Sequence, residues 1–440
     1  MNPRNPIFRD ARTLSDWIAR VQSLAPTSEP DEDVLLYWPV HDIWRKPDGF
    51  AEQFVLLRAG EWLRRTEFGK VARRLYDAGV SFDYISDRQL LSLPSKDKTH
   101  YTTIVIPPCQ TIPLATATRL GELARQGYRV VCVGERPRDV PGLIRPQDPD
   151  AVRRAMEGVA DAHIETIGRR EPFTAKSGLA YRRLRRGKDV LYYIVNQTAE
   201  KVSGVFHPTA TTASAWILDP MNGAIRYANV ADGAVSLELE SGAGVWLWCE
   251  SGKVAPRRNR PCDLKAYGAS TSVSGPWTLK AVCGGPDGTF PTRTMRTPSS
   301  WSRNADGSEN PFCGTVCYKT TFDWRETKRG ARLDLGKVCH SARVRVNGRE
   351  LGVRIMPPYT FEIPADALKA GANELEVEVT STGANRLRDL DKRKVEWRVF
   401  THPGVIGRNY KPFDASEWPL AEAGLFGPVS LCSRRGQSSL

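Results

Sequence analysis

Residues 33–44 read DVLLYWPVHDIW. An unbroken apolar run from Val34 through Trp38 to Pro39 meets His41 and Asp42 at once. Such a run reads as a buried strand. It ends by presenting an imidazole and a carboxylate, and the pattern on its C-terminal side decides the fold.

Outward from that strand, the pattern alternates. FVLLRAGEWLRRTEFGKVARRLYDAGV (54–80) has helical spacing and a glycine end at Gly79, and FDYISD (82–87) is a second strand. YTTIVIPPC (101–109) is a third strand, TATRLGELARQG (116–127) a helix, and YRVVCVG (128–134) a fourth strand. DPDAVRRAMEGVADA (148–162) reads as a further helix with Asp148 at its N-cap. Strand and helix in turn predict βαβ units around a parallel sheet. The order and size fit a flavodoxin-like, class I amidotransferase-like α/β domain over 29–172.

From about 174 the helices stop. GLAYRRLRRGKDVLYYIVNQT (178–198) is a hairpin turning at RGKD, and SAWILDPMNGAIRYA and AVSLELESGAGVWLWCE alternate and break at glycine. We read 173–255 as a small β domain. KVAPRRNRPCD supplies a linker at 256–263. Beyond it, TVCYKTTFDW, GARLDLGKV, SARVRVNGRELGVRI, YTFEIPADAL, NELEVEVTS and LFGPVSLCS are short strands, with a hairpin turn at Asn347-Gly348. They predict a C-terminal β-sandwich or jelly roll over 264–435. At the other end, RTLSDWIARVQSL (12–24) places Leu14, Trp17, Ile18, Val21 and Leu24 on one helical stripe, and no partner long enough precedes it. The chain is thus multidomain, α/β plus all-β.

With 440 residues, 40% of them hydrophobic and 26% charged, the chain has room for two to four domains. No stretch approaches the roughly 18–20 apolar residues of a membrane helix, so no membrane partner is expected. MNPRNPIFRDAR lacks the apolar core of a secretory signal, which places the chain in the cytoplasm if Met1 is the true start. The net charge of +13 comes from short scattered basic runs such as Arg182-Arg183 and Arg257-Arg258. None lies on a nucleic-acid module, so these are read as solvated faces and no nucleic-acid partner is expected. The nine cysteines form no CxxC pair, so no zinc site is expected; most are read as buried free thiols.

In a parallel sheet, ligands bind outside the carboxyl ends of the strands. Those ends carry His41 and Asp42, then Asp87 and Arg88, then Pro107, Pro108 and Cys109. Neighbouring strands would bring His41, Asp42, Asp87 and Arg88 to one crevice, able to bind a hydroxylated ligand or orient a reacting group. The plainer reading has Asp42 and Asp87 capping the helices after them. Two prolines before Cys109 do not make a nucleophile elbow. Neither GxGxxG nor GxxxxGK[ST] occurs. On the sandwich, Trp277, Trp301, Trp324, Trp397 and Trp418 are candidates for stacking on sugar rings, with core packing as the competing role for each.

Several stretches carry a resemblance together. NPRNPIFR, DVLLYWPVHDIW, FDYISDRQL, YTTIVIPPC, LDPMNG, GANELEVEVTSTGANRLRDLD and FDASEWPLAEAGLFGPVSL resemble the later part of glycoside hydrolase family 106, the α-L-rhamnosidases. FCGTVCYKTTF, LDLGKV and VRVNGRELG resemble the sugar-binding, galactose-binding-like sandwich of glycoside hydrolase family 2. The resemblance implies secreted or periplasmic enzymes that invert configuration at L-rhamnose, commonly with calcium, on an N-terminal (β/α)8 barrel. It therefore implies that this chain is truncated and lacks the catalytic residues and any cofactor of its own. Helix 12–24 would be a remnant of the preceding segment, within 1–28. His41 and Asp42 would wall a cleft facing a barrel, which a separate chain could supply. The expected partners are carbohydrates, rhamnose-containing glycans above all. Two alternatives stand beside this: a non-catalytic glycan- or protein-binding module, and a free-standing enzyme using the strand-end crevice.

Overall fold

A computed structural model describes residues 5–47, 49, 59–143, 146, 148–171, 177–228, 230–252, 267–326, 329–397 and 413–434. The linker read at 256–263 lies outside them. The chain divides into two compact units, residues 21–261 and residues 1–20 with 262–440. Among the described residues, strand is the commonest regular structure.

Unit 21–261 opens with β1 (Glu29–Pro30) and β2 (Val34–Tyr37). β3 (Phe82–Ile85), β4 (Thr103–Ile106), β5 (Arg129–Cys132) and β6 (Ala160–Asp161) join β2 in a parallel sheet of order β3-β2-β4-β5-β6. All four residues of β2 are buried. Val34 and Leu36 pack with Phe68, Val71 and Leu75 of helix Glu67–Asp77 on one face. Leu35 and Tyr37 pack with Leu120 and Leu123 of helix Leu114–Arg125 on the other. Helices on both faces explain why the run carries no polar residue. The chain steps from β2 outward to β3, then back across β2 to β4, so the strand order reverses between β2 and β4.

Two helices depart from expectation. The 54–80 stretch is not one helix. Among its described residues, helix Ala59–Trp62 ends, and Thr66 caps a new helix at Glu67 by accepting from the Gly69 N–H at 3.0 Å. The 148–162 helix covers only Ala151–Ala155 and is entered at Asp150, not Asp148. Asp148 instead accepts from the Asp150 N–H and pairs with Arg154. Helix Leu114–Arg125 lies close against this short helix: a Cβ on Gly121 would sit 2.0 Å from the Ala155 carbonyl oxygen.

The same unit continues in antiparallel strands: β7 (Leu179–Arg186), β8 (Asp189–Asn196), β9 (Val202–Phe206), β10 (Ser214–Leu218), β11 (Ile225–Ala228), β12 (Val230–Ala231), β13 (Ala234–Leu239) and β14 (Gly244–Glu250). They form sheets β1-β7-β8-β14-β10-β11 and β12-β13-β9 around a core that includes Tyr192, Phe206, Leu237 and Leu247. The β7–β8 hairpin turns at Gly187-Lys188, with Arg186 opposite Asp189. β7 also overturns part of the charge reading. Arg183, taken from its basic run as solvated, is fully buried. Its guanidinium donates to Asp31, Asp33 and Glu171. It ties the chain leading into β2 to the six-stranded antiparallel sheet.

The second unit holds β15 (Tyr267–Ser272), β16 (Trp277–Gly285), β17 (Arg293–Met295), β18 (Cys313–Trp324), β19 (Ala331–Asp334), β20 (Lys337–Cys339), β21 (Ser341–Val346), β22 (Arg349–Arg354), β23 (Thr360–Ile363), β24 (Gly371–Thr380), β25 (Gly424–Gly427) and β26 (Ser430–Arg434). Sheets β15-β26-β19-β23 and β17-β16-β18-β24-β21-β22 share one core. The β21–β22 turn is the one expected: Asn347 and Gly348 both take positive φ, +50° and +80°. The Asn347 side chain holds it, donating to the Ala367 carbonyl at 2.9 Å and accepting from the Glu374 N–H at 3.0 Å.

The first residues of the chain lie in this unit too. Asp10 is buried and accepts from the Ser341 hydroxyl at 2.5 Å and from Arg343 at 3.0 Å. Arg9 donates to Glu378 at 2.6 Å. The next helix, Ala11–Gln22, buries none of its residues, and Ile18 on its apolar stripe stays exposed.

Candidate functional site

The reversal of strand order places the loops after β2 and β4 side by side, and the polar strand ends do meet. Asp42 accepts from the Gln110 N–H at 2.8 Å, the Thr111 N–H at 2.6 Å and the Thr111 hydroxyl at 2.6 Å. Asp87 accepts from the Tyr37 hydroxyl at 2.8 Å and the Thr116 hydroxyl at 2.7 Å, with His41 Nε2 3.5 Å away. Burial, reinforced by the neighbouring Asp87 carboxylate, pushes the Tyr37 hydroxyl far up, so Tyr37 stays protonated and donates.

Both carboxylates are thus engaged by the chain's own donors. They fasten the loops together across the crevice. Neither caps the helix after it: Ser86 is the N-cap of helix Asp87–Ser92. Arg88 is exposed and joins none of the other three. Cys109 is buried, and that burial drives its thiol well above the ordinary range, the opposite of what a thiolate nucleophile requires.

The five tryptophans separate into two groups. Trp277 and Trp301 are fully buried and Trp324 nearly so, all within the sandwich core, where a sugar cannot reach their faces. Strand parity carries part of that signal: Val316, Tyr318, Thr320, Phe322 and Trp324 alternate inward along β18. Trp418, 39% exposed, stacks edge-on against exposed Phe413 at 5.3 Å, and Trp397 meets Phe413 at 6.0 Å. Trp397 also donates to Asp391 at 2.7 Å. Nearby, helix Ala384–Lys392 is anchored by Arg388, which grips both oxygens of Glu309 at 2.5 and 2.9 Å. Arg388 and Lys392 hold the Glu309 carboxyl down at about 2. Of the five tryptophans, Trp418 alone is exposed, beside exposed Phe413.

One further concavity escaped the sequence reading. A groove of about 550 Å³ lies along helix Glu67–Asp77, β3 and the start of β7, lined by Tyr76, Asp77, Tyr84 and Gln197 among others. A recess of about 240 Å³, lined by Glu32, Ser81 and Arg182, shares its Tyr76, Phe82, Tyr84 and Leu179 walls. Tyrosines at helix and strand positions look like ordinary surface or core residues in sequence. Only the fold sets them together.

Among the described residues, no three His, Cys, Asp or Glu side chains gather to hold a metal ion. No helix among them is long and apolar enough to cross a membrane.

Comparison with known proteins places this geometry. No family model matches the chain. The rhamnosidase from Novosphingobium sp. PP1Y superimposes on 98% of this chain with a TM-score of 0.64, at 20% identity. The chain has the fold of part of a rhamnosidase. It spans 42% of that protein's length. In sequence, it is similar to a putative β-glucuronidase of Formosa agariphila, 29% identical over 152 residues, which is 30% of this chain and 13% of the relative. Both relatives are named as glycosidases, and what this chain shares with the first is its fold.

Proposed function

We propose that this chain is the accessory, carbohydrate-binding portion of an α-L-rhamnosidase-like glycoside hydrolase whose catalytic (β/α)8 barrel lies outside it. The observation that carries this is the superposition of nearly the whole chain on under half of a rhamnosidase. The strand order β3-β2-β4-β5-β6 supports a flavodoxin-like assignment for the α/β part. The two antiparallel sheets with one core support a galactose-binding-like jelly roll for the sandwich.

Inverting hydrolysis needs two carboxyl groups roughly 6.5–9.5 Å apart with room for a water between them. Asp42 accepts three and Asp87 two hydrogen bonds from the chain's own donors, which speaks against an acid–base pair. Among the described residues the parallel strands form one open five-stranded sheet. In this reading His41, Asp42, Asp87 and Arg88 hold the wall of a substrate cleft, with rhamnose-containing glycans as partners. The barrel, with its calcium, comes from elsewhere.

The purified 440-residue protein should release no rhamnose from an aryl α-L-rhamnoside above the no-protein rate. Turnover by the chain alone would sink the proposal. The second reading, a purely non-catalytic glycan-binding module, is favoured by the exposed Phe413 and Trp418. It predicts the same silence in that assay, but weak glycan binding on the sandwich without any barrel, lost in Trp418→Ala.

A further inference from the structure

The groove on unit 21–261 is used by neither the strand-end cluster nor the sandwich tryptophans. Both rings reach the surface, Tyr76 44% and Tyr84 54% exposed, although the Arg73 guanidinium lies over the Tyr76 ring at 5.5 Å. Tyr84 is not loose, because Phe68 and Phe82 brace it at 5.1 and 5.6 Å. In the adjoining recess, Glu32 is only 3% exposed. Its Oε1 has Arg182 Nη2 at 3.7 Å, and its Oε2 has no hydrogen-bond partner among the described residues. A buried acceptor without a donor is costly to leave unmet, so a site that retains one invites a donor from outside. Arg182 is 60% exposed at its side chain, and it lines the recess together with Glu32.

The charges bear on what enters. Arg73 pairs with Asp77 at 2.9 Å and Arg182 lies 3.7 Å from Glu32, so the rim carries matched charges that favour neither a net anion nor a net cation. Exposed aromatic rings favour a flat apolar surface, and the mixed polar rim favours a ligand that both donates and accepts. A neutral pyranose meets all three conditions, with its C–H face for the rings and its hydroxyls for the rim. We propose that this groove is a saccharide-binding site in which Tyr84 takes the face of a sugar ring, Tyr76 flanks it and Glu32 accepts a hydrogen bond from a hydroxyl. The proposal deepens the carbohydrate reading above and rests on it.

The test is binding of methyl α-L-rhamnoside, methyl β-D-galactoside and methyl β-D-glucoside to the full chain, measured by saturation-transfer NMR and calorimetry. Tyr84→Ala should weaken binding of the preferred glycoside by about tenfold or more with unchanged melting. Glu32→Gln, which keeps the shape but loses the charged acceptor, should weaken it several-fold. Trp418→Ala should leave this binding intact. If Tyr84→Ala and Glu32→Gln both bind as the wild type does while Trp418→Ala abolishes binding, the groove is not a site and the carbohydrate reading survives. If the wild type binds none of the three glycosides, both fall.

Discussion

Arg183 is a single residue on which two substructures lean. It has no exposure, and Asp31, Asp33 and Glu171 surround it. Removing one partner of such a cluster leaves uncompensated buried charge, which costs about 3–5 kcal/mol. Arg183→Ala should lower the unfolding free energy by that amount in urea titrations. Arg183→Lys should rescue little, because one ammonium cannot reach three carboxylates in different directions. Glu32 is the opposite case. Burial, with Asp83 adding to it, raises its carboxyl above 4.5, although Arg182, Arg183 and a backbone N–H pull it back. The folded protein therefore holds that proton more tightly than the unfolded chain. Ionisation of Glu32 costs stability as pH rises from about 4.5, and costs nothing below it. Glu32→Gln should melt higher than wild type at about pH 7, with the gain shrinking to nothing below about pH 4.5. A gain that persists in acid would contradict this account.

Among the elements, the helix pair around Gly121 makes the sharpest prediction. Alanine in a helix interior normally gains about 1 kcal/mol over glycine. Here the added methyl meets the Ala155 carbonyl oxygen at 2.0 Å. Gly121→Ala should instead destabilise by about 1–3 kcal/mol in denaturant titration, since the backbone of helix Ala151–Ala155 must move. Elements were also what the sequence made most legible. The run Val34–Tyr37 announced a buried strand because helices cover the sheet on both faces, and Asn347-Gly348 announced its turn because two positive φ values leave few residue choices. Arg183 was illegible because nothing local separates a buried guanidinium from its exposed neighbour Arg182. The strand-end residues were found by type and place, but their hydrogen bonds were not. That Asp42 spends itself on Gln110 and Thr111, 68 and 69 residues away, is a fact of tertiary structure alone. Trp301 likewise sits in a connection where no periodicity tells inside from outside.

At the scale of the molecule, chain order and spatial order disagree. Residues 1–20 belong with 262–440, and the join is polar and buried: Asp10 against Ser341 and Arg343, Arg9 against Glu378. Asp10→Ala should destabilise the sandwich by about 2–3 kcal/mol in hydrogen-exchange or calorimetric measurements, because Ser341 loses a buried acceptor and Arg343 a charged one. A fragment starting at residue 262 should show the same deficit. There is a consequence for biosynthesis. Asp10 leaves the ribosome 331 positions ahead of Ser341, its hydroxyl partner. The segment around Asp10 must therefore wait, unpaired, until β21 has emerged. Closing that seam is a late act of maturation, and a translation product halted before β21 has nowhere to put this stretch of itself.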